Sequence, residues 1–445
     1  MRELWSEANK RRLWRHIWVA LARSQMEFGL VQPEQVAELE AHANDIDIPR
    51  ALEIEADLHH DLMSEIRTFA EQCPSAGGII HLGATSMDIE DNADAIRLRS
   101  ALDLLLSQLQ DLLVAFAQKI QVHAQTPVMA FTHLQPAEPT TLGYRLASYT
   151  QDLQSDYDEI AHCRELVKGK GFKGAVGTAA SYVELVGING YAKLESRLGQ
   201  LLELPFYAIT TQTYPRKQDY QILCALSGLG ASLYKFAFDL RLMQSPVIGE
   251  WGEPFGRRQV GSSAMPFKRN PIHSEKIDSL ARALAVMPQT AWHNAAHSLL
   301  ERTLDDSANR RSLLPEAFLI CDELVRTSHR LITGLVVNEA VIERNTAIYA
   351  PFASTEPLLM TLVKAGADRQ EMHERLREHA MNAWEAVRQG KNNPLADGIV
   401  NDPIFISFIP KAEIQKLMRV DGYSGIAAER ATEIAARILQ AFDQK

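Results

Sequence analysis

The stretch between Gly83 and Pro127 contains no glycine or proline, and no other feature limits the fold of this chain as strongly. Within it, apolar residues recur at alternating steps of four and three: Leu98, Leu102, Leu105, Leu109, Leu112 and Phe116. This spacing places them on one face of an α-helix. Since an α-helix rises 1.5 Å per residue, the predicted helix could reach roughly 60 Å.

Further runs without glycine or proline predict more long helices and hence a bundle; they cover residues 144–168, 231–245, 289–314 and 316–333. One apolar stripe leaves its helix little polar face, and it comprises Leu223, Leu226, Leu229, Leu233, Phe236, Ala237 and Leu240. Either helices from other subunits cover this stripe, or the chain has a larger core of its own. We expect the first arrangement, an oligomer.

Glycines and prolines divide the chain into three predicted domains. Gly77, Gly78 and Gly83 precede the first long helix, and Gly334 follows the last one. Aromatic residues make up only 7% of the chain, which favours helices over sheets. We predict an all-α fold with an N-terminal helical domain, a central long-helix domain and a C-terminal helical domain, at 1–86, 87–338 and 339–445.

The composition argues against several classes of partner. The formal net charge of −10 disfavours nucleic acid and anionic membranes, although a local basic cluster can still attract a small anion. The four cysteines are scattered, which predicts reduced thiols in a cytosol. The charged first ten residues do not resemble a signal peptide. We expect no segment long and apolar enough to span a bilayer.

One loop carries the residue types of an active site. Residues 261–271 read Gly-Ser-Ser-Ala-Met-Pro-Phe-Lys-Arg-Asn-Pro, without apolar periodicity. Gly261 is expected to let the loop move. Such a loop can place a base such as Ser262 beside Lys268 and Asn270, two groups that stabilise an oxyanion. A polar surface turn is the alternative.

His133 lies in a second polar segment, 131–141, which reads Phe-Thr-His-Leu-Gln-Pro-Ala-Glu-Pro-Thr-Thr. A polar segment without periodicity suits the wall of a pocket, and histidine is the natural general acid or base near neutral pH. A histidine that is hydrogen-bonded within a structural turn is the alternative.

A third cluster stands where the first long helix begins. Thr85, Ser86 or Asp88 could cap that helix. Thr85 and Ser86 could also bind an anion at its N-terminus.

A fourth segment holds two arginines and a hydroxyl group at a spacing that suits a phosphate. Ser307 and Arg311 share a predicted helix face, and Arg302 precedes them. A surface network of salt bridges with Asp305 and Asp306 is the alternative.

We predict neither a metal site nor a dinucleotide site. The fourteen histidines lack zinc-ligand spacing. Residues 169–174 read Gly-Lys-Gly-Phe-Lys-Gly, but they follow a helix rather than a strand. Two interpretations of this segment stay open: a flexible loop near a ligand, or a loop that only ends the helix.

In this order, the motifs resemble the fumarase/aspartase superfamily of lyases. That resemblance rests on residues 261–270, Thr-His-Leu-Gln at 132–135, and Thr85-Ser86. Four further segments are similar to its adenylosuccinate lyase branch, namely His60-Asp61, 174–178, 212–216 and 302–311. The resemblance runs from about Trp5 to the C-terminus.

The resemblance implies a carbon–nitrogen lyase of purine synthesis. Its reactions would eliminate fumarate from adenylosuccinate, giving AMP, and from succinylaminoimidazole carboxamide ribotide. No cofactor and no metal is implied, because the substrate carboxylate is the electron sink. The branch also implies a cytoplasmic homotetramer whose central helices form one bundle, with each active site shared between three chains.

Roles follow from the same resemblance. Ser262 resembles the general base, and Lys268 and Asn270 would hold the charged intermediate. His133 resembles the general acid, oriented by Glu275, and His60 joins this catalytic set. The implied substrate-binding residues are Asp61, Thr85, Ser86, Thr132, Gln212, Lys276, Arg302, Ser307 and Arg311, of which the last three would hold the phosphate.

The resemblance is incomplete at the N-terminus. Members of the branch usually begin with an Arg-Tyr pair that touches the substrate phosphate, whereas this sequence begins Met-Arg-Glu-Leu-Trp, and Arg2 is not an obvious replacement. A start further upstream, another phosphate-binding group or a different substrate would each explain this. The alternative function is therefore a related carbon–nitrogen lyase that acts on a different N-succinyl amine. An inactive structural protein on this scaffold is a third reading, and the presence of every catalytic residue type opposes it.

Overall fold

The computed structural model describes residues 1–419 and 424–442, and helices dominate this part of the chain, which confirms the predicted all-α fold. The described residues form seventeen α-helices: α1 Glu7–Met26, α2 Pro33–His42, α3 Ile48–Leu58, α4 Asp61–Gln72, α5 Ser86–His123, α6 Leu142–Leu166, α7 Ala180–Leu201, α8 Lys217–Gln244, α9 Ile272–Ala296, α10 Ser307–Thr333, α11 Glu339–Ala353, α12 Thr355–Lys364, α13 Arg369–Arg388, α14 Leu395–Val400, α15 Pro403–Phe408, α16 Lys411–Leu417 and α17 Ala427–Phe442. Four short strands form two antiparallel pairs, β1 Pro127–Thr132 with β2 Gln135–Thr141, and β3 Trp251–Gly252 with β4 Val336–Val337.

The long helix α5 confirms the prediction from the stretch without glycine or proline. It has 38 residues, and the six apolar residues that predicted its buried face are all fully buried. The predicted boundaries of two other helices were wrong. Pro288 lies inside α9 and Pro315 lies inside α10. Each proline removes one backbone hydrogen bond, but it does not end its helix. The loop between them therefore falls at 297–306.

The chain divides into two compact units. Unit 1 comprises Met1–Leu109, Ser155–Ala231 and Ser279–Val325, and unit 2 comprises Gln110–Gln154, Ser232–Asp278 and Arg326–Lys445. The division into three domains at residues 86 and 338 stays a prediction.

Unit 1 contains a buried ion-pair cluster beneath the N-terminal helix. Glu65 of α4 accepts hydrogen bonds from Arg15 at 2.6 Å and from Arg11 at 2.9 Å, and all three side chains are almost completely buried. The apolar core around α1 and α4 includes Trp14, Trp18, Leu62 and Phe69. Because charges are costly to bury alone, Arg15 depends on the Glu65 carboxylate, whereas Arg11 also pairs with Glu7 at 2.8 Å.

Unit 2 contains a β-hairpin that the sequence did not predict. Strands β1 and β2 are joined by His133 and Leu134 alone, whose φ angles are 53° and 59°. Positive φ at both positions defines a tight two-residue turn, which usually contains asparagine and glycine. The segment has neither at these positions, and the sequence therefore gives no hairpin signal. The C-terminal part of unit 2 has its own apolar core of helices, centred on Leu358, Leu362, Met372, Leu376 and Phe405.

The wide apolar stripe of α8 is buried within the chain itself. All seven residues that suggested partner helices are 0% exposed in the single chain. Their burial therefore needs no contact with another subunit. Other large apolar side chains on the long helices are exposed, among them Tyr144 on α6, Phe238 on α8, and Val286 and Trp292 on α9.

Helices α5 and α8 are long and apolar enough to cross a membrane by length and composition, contrary to our expectation. In each helix, 50% of the most apolar 18-residue stretch is buried inside the structure. Core helices of soluble proteins pass the same test, so these two helices are weak evidence for a membrane span.

We expect Glu65→Gln to destabilise the protein by about 3–5 kcal/mol, because it leaves the buried Arg15 without a counter-charge and removes one of the carboxylates that Arg11 binds. Denaturant unfolding measures this loss. Glu40→Gln is the matched control, since Glu40 pairs with Arg23 at the surface and should cost less than about 1 kcal/mol. Equal losses for the two variants would contradict the assigned role of the buried cluster.

Candidate active site

The predicted site residues fall into both units of the chain. Unit 1 contains His60, Asp61, Thr85, Ser86, Gln212, Arg302, Ser307 and Arg311. Unit 2 contains Thr132, His133, Ser262, Lys268, Asn270, Glu275 and Lys276.

In unit 1, His60 and Asp61 stand at the start of α4. His60 is the N-cap, and its Nδ1 accepts a hydrogen bond from the Met63 backbone N–H at 3.4 Å. A neutral His60 therefore carries its proton on Nε2, where it can be donated. The Asp61 carboxylate receives an N–H of Arg311 at 2.9 Å. The fold thus joins two predicted substrate-binding residues that are 250 positions apart.

Ser86 is the first residue of α5 and Thr85 directly precedes it, so both lie at the predicted start of the helix. Asp88 caps the helix, because its carboxylate accepts the Thr85 backbone N–H at 3.1 Å. The hydroxyl groups of Thr85 and Ser86 have no hydrogen-bond partner among the described residues. Two free hydroxyl groups at a helix N-terminus suit an anion, so the cap and the anion site are compatible here.

The turn before Thr85 is fixed from α1. The Trp18 indole donates to Nδ1 of His81 at 3.1 Å, and Gln25 donates to the Leu82 carbonyl at 2.8 Å. Burial lowers the pKa of His81 to about 4, so His81 stays neutral and accepts this bond. The sequence alone does not indicate this role of His81.

The Gly-Lys-Gly-Phe-Lys-Gly segment lies against the same cap. The Asp88 carboxylate accepts hydrogen bonds from the Lys170 ammonium group and from the backbone N–H groups of Lys173 and Gly174. Lys170 and Asp88 are both fully buried. The segment therefore supports the start of α5 rather than forming a dinucleotide site.

The three predicted phosphate-binding residues line one cavity of about 240 Å³ in unit 1. Arg302, Ser307 and Arg311 lie there beside Asp61. Arg302 donates to Asp306 at 2.8 Å, whereas its buried Nε–H has no partner within the described residues. A guanidinium group that lines a cavity is suited to binding an anion. The alternative salt bridge of Arg302 with Asp306 forms, and phosphate binding by these residues stays a prediction.

A second pair of arginines, which we did not predict, supports this cavity. Arg216 binds Asp91 at 3.0 Å and Asp306 at 2.5 Å. Arg310 binds Asp219 at 2.7 Å and also donates to the Tyr214 hydroxyl, which itself donates to Asp219. Although burial alone would raise it, the pKa of Asp306 is lowered by Arg216, Arg302 and Arg310. The sequence shows that these arginines and aspartates are present, but it does not show which of them pair.

Gln212 is hydrogen-bonded to the loop that carries Arg302. Its backbone N–H donates to the Glu301 carbonyl at 3.1 Å. This contact places Gln212 next to the predicted phosphate residues in the chain fold.

In unit 2, the loop around Ser262 is closed at its base. The Asn270 side chain donates to the Gly261 carbonyl at 2.9 Å. A Cβ added to Gly261 would lie 1.9 Å from the Lys268 carbonyl oxygen. Gly261 is thus required for close backbone approach, and the mobility we expected from it is not its structural reason. Asn270 uses one N–H to hold the loop and retains a second for a ligand.

The Ser262 oxygen accepts backbone N–H groups of Met265 at 3.1 Å and Ala264 at 3.3 Å. Donors to this oxygen stabilise its deprotonated form. The Lys268 side chain is exposed and has no partner within the described residues.

His133 is displayed at the tip of the β1–β2 hairpin. Its backbone is left-handed, which costs a residue with a side chain about 1–2 kcal/mol, and such strain often accompanies function. Its exposed ring makes no hydrogen bond with any described residue. The alternative of a histidine bonded within a structural turn therefore loses its support. The ring lines a cavity of about 830 Å³ within unit 2.

The remaining predicted residues of unit 2 stand near the ends of their elements. Thr132 is the last residue of β1 and is exposed. Glu275 and Lys276 lie in the first turns of α9. Glu275 lies 3.9 Å from Arg241, and no hydrogen bond joins it to His133 within the chain. The described residues contain no group of three or more His, Cys, Asp or Glu side chains that could hold a metal ion.

The chain matches two family profiles, one described as "Lyase" over residues 3–285 and one described as "Adenylosuccinate lyase C-terminus" over residues 351–434. Adenylosuccinate lyase of Schistosoma mansoni is 40% identical and covers 90% of this chain and 84% of that protein. Adenylosuccinate lyase of Saccharomyces cerevisiae is 39% identical, with coverages of 91% and 85%. Among solved structures, 3-carboxy-cis,cis-muconate lactonizing enzyme from Pseudomonas putida is similar with a TM-score of 0.88 and 25% identity, covering 99% of this chain and 97% of that one.

We expect Gly261→Ala to lower kcat at least ~100-fold, because the added Cβ would displace the catalytic loop. A displacement of about 1 Å can lower the rate by that factor. Steady-state kinetics measure the loss, and an unchanged melting temperature shows that the fold is intact. Gly256→Ala is the matched control, since its Cβ would have no heavy atom within 3.8 Å apart from its own chain neighbours. A Gly261→Ala enzyme within tenfold of the wild-type kcat would contradict the assignment of this loop.

Proposed function

The chain belongs to the adenylosuccinate lyase family, and we propose that it eliminates fumarate from adenylosuccinate to release AMP. The enzyme is a carbon–nitrogen lyase. Succinylaminoimidazole carboxamide ribotide carries the same N-succinyl group and is its second substrate. The cavity in which Arg302, Ser307 and Arg311 meet Asp61 is the observation that carries the nucleotide assignment.

Ser262 acts as the general base. It removes a proton from the succinyl carbon that lies between the second carboxylate and the carbon bonded to nitrogen. A serine hydroxyl is a weak base unless its alkoxide is stabilised. The Ala264 and Met265 N–H groups at the Ser262 oxygen supply that stabilisation.

Negative charge then moves into the substrate carboxylate. Lys268, whose ammonium group is exposed and unpaired, and the second N–H of Asn270 hold this doubly charged group. No cofactor is needed, because the carboxylate itself accepts the electron pair.

His133 donates a proton to the departing nitrogen as the carbon–nitrogen bond breaks. Its position at a strained hairpin tip, with no partner among the described residues, leaves the imidazole available. Glu275 orients His133 from another subunit, since no hydrogen bond joins the two within one chain. His60, with its proton on Nε2, assists at the same substrate.

The remaining predicted residues bind the substrate. Thr85 and Ser86 offer free hydroxyl groups to a carboxylate at the start of α5. Thr132, Gln212, Lys276 and Asp61 complete the binding set. Arg302, Ser307 and Arg311 hold the phosphate.

The protein acts as a homotetramer with active sites shared between subunits. Exposed apolar side chains on three long helices, such as Tyr144, Phe238 and Trp292, support association through these helices. The four cysteine thiols are free, which supports a reducing, cytoplasmic location.

Incubation of the purified protein with adenylosuccinate tests the reaction, with fumarate and AMP as the expected products. Succinyladenosine, which lacks the phosphate, should be cleaved with a kcat/KM ~10–100-fold lower, because a charge-assisted hydrogen bond contributes roughly 1.5–3 kcal/mol. Equal efficiency on nucleotide and nucleoside would argue against phosphate recognition and favour the lyase of a different N-succinyl amine. No fumarate from either compound would refute the proposed reaction.

Sharing of active sites predicts complementation between inactive variants. Ser262→Ala and His133→Ala homotetramers should each be inactive, and mixing them with subunit exchange should restore part of the activity. Light scattering should give about four times the chain mass of 49.7 kDa. A fully active monomer, or no recovery after proven subunit exchange, would exclude shared sites.

A further inference from the structure

One carboxyl group in the phosphate cavity has no partner. Glu90 lines the cavity together with Arg302, Ser307 and Arg311. It forms no hydrogen bond and no ion pair among the described residues. Nothing in the sequence analysis singled out this residue.

The position of Glu90 on α5 directs it toward the predicted substrate site. Ser86 and Glu90 are four residues apart, so they share one face of the helix. Met87, Asp91, Asp94 and Arg97 of the same helix also line the cavity. Glu90 therefore stands one turn from a hydroxyl group that we assign to substrate binding.

Every other carboxylate at the cavity is matched by a cation. Glu7 pairs with Lys10 at 2.8 Å, and Asp61 pairs with Arg311. Asp91 pairs with Arg216, while Asp94 pairs with Arg97 and Arg310; the distances are 3.0, 3.2 and 3.3 Å. Glu90 alone among these carboxyl groups lacks a cation in the described structure.

The charge balance of the cavity depends on Glu90. The six cations that line it are Lys10, Arg97, Arg216, Arg302, Arg310 and Arg311. Five carboxyl groups line it, namely Glu7, Asp61, Glu90, Asp91 and Asp94. Among the lining residues, six cations thus meet five carboxylates if Glu90 is ionised and four if it is neutral. A phosphate dianion is better accommodated in the second case.

The surroundings favour the neutral form. Burial, together with the carboxylates of Asp61, Asp94 and Asp91, raises the pKa of Glu90 to about 8, against the opposing effect of Arg311. A neutral carboxylic acid is also a hydrogen-bond donor, which a carboxylate is not. Enzymes keep acids neutral for this purpose elsewhere.

We propose that Glu90 binds the substrate phosphate as a neutral carboxylic acid, donating a hydrogen bond to a phosphate oxygen. This inference rests on the proposed function, because it concerns the same nucleotide. Arg302 and Arg311, which line the same cavity, are the charged donors to that phosphate.

A pH dependence specific to the phosphate follows. Below pH 8 Glu90 is protonated and ready to bind, and above pH 8 a proton must be taken up with the nucleotide. The KM for adenylosuccinate should then rise about tenfold per pH unit above the pKa. The phosphate itself stays a dianion there, because its second pKa is about 6.

The test compares kcat/KM for adenylosuccinate and succinyladenosine between pH 7 and pH 9.5. Their ratio removes the pH dependence of the chemistry, which the two compounds share. In the wild-type enzyme the ratio should fall above pH 8. In Glu90→Gln, whose amide donates at every pH, the ratio should stay constant within about threefold.

Glu7→Gln is the matched control, because Glu7 also lines the cavity while Lys10 and Arg11 lower its pKa, against the opposing effect of burial. Its ratio should still fall above pH 8. Calorimetry of AMP binding at pH 9 in buffers of different ionisation enthalpy should report uptake of nearly one proton by the wild type and none by Glu90→Gln.

A constant ratio in the wild type, or an unchanged fall in Glu90→Gln, would overturn the role of Glu90 while leaving the lyase reaction intact. Absence of adenylosuccinate cleavage in the wild type would instead refute the proposed function. A Glu90→Gln protein with a lower melting temperature remains informative, since the AMP-binding calorimetry is performed on its folded fraction.

Discussion

The phosphate cavity depends on a buried network of arginines and aspartates in unit 1. Arg216 and Arg310 hold Asp91 of α5, Asp219 of α8 and Asp306 at the start of α10. Charges buried in this way are costly unless every partner is present, so removing one of them is far more damaging than breaking a surface pair. The network fixes the entry to α10, and with it the positions of Arg302, Ser307 and Arg311. Buried ion pairs thus hold in place the residues to which we propose the phosphate binds.

The two units carry different parts of the proposed chemistry. Unit 1 contains the phosphate cavity and the free hydroxyl groups at the start of α5. Unit 2 contains the Ser262 loop, closed by Gly261 and Asn270, and the hairpin that displays His133. His133, Lys268 and Glu90 form no hydrogen bond or ion pair within the part of the chain that the structure describes, which supports the proposal that substrate and other subunits complete the sites.

Local sequence patterns predicted much of this structure. They did not predict contacts between residues that are far apart in the sequence. The apolar spacing in 98–116 predicted α5, and Thr85, Ser86 and Asp88 were expected at its start because caps are local. The pairing of Arg216 and Arg310 with three aspartates depends on residues about 90 or more positions apart. The hairpin was missed because His133 and Leu134 adopt a turn that their side chains disfavour. Helices α9 and α10 were misplaced because tertiary packing tolerates Pro288 and Pro315.

Titration of adenylosuccinate into the Ser262→Ala protein tests the central claim most directly, because it separates binding from proton removal. The account predicts one binding site per chain, an affinity close to the wild-type KM, and no release of fumarate over the time of many wild-type turnovers. It would be contradicted by the absence of binding, which would reject the substrate. It would also be contradicted by fumarate release at more than about a tenth of the wild-type rate, since loss of a general base typically costs ~10²–10⁴-fold.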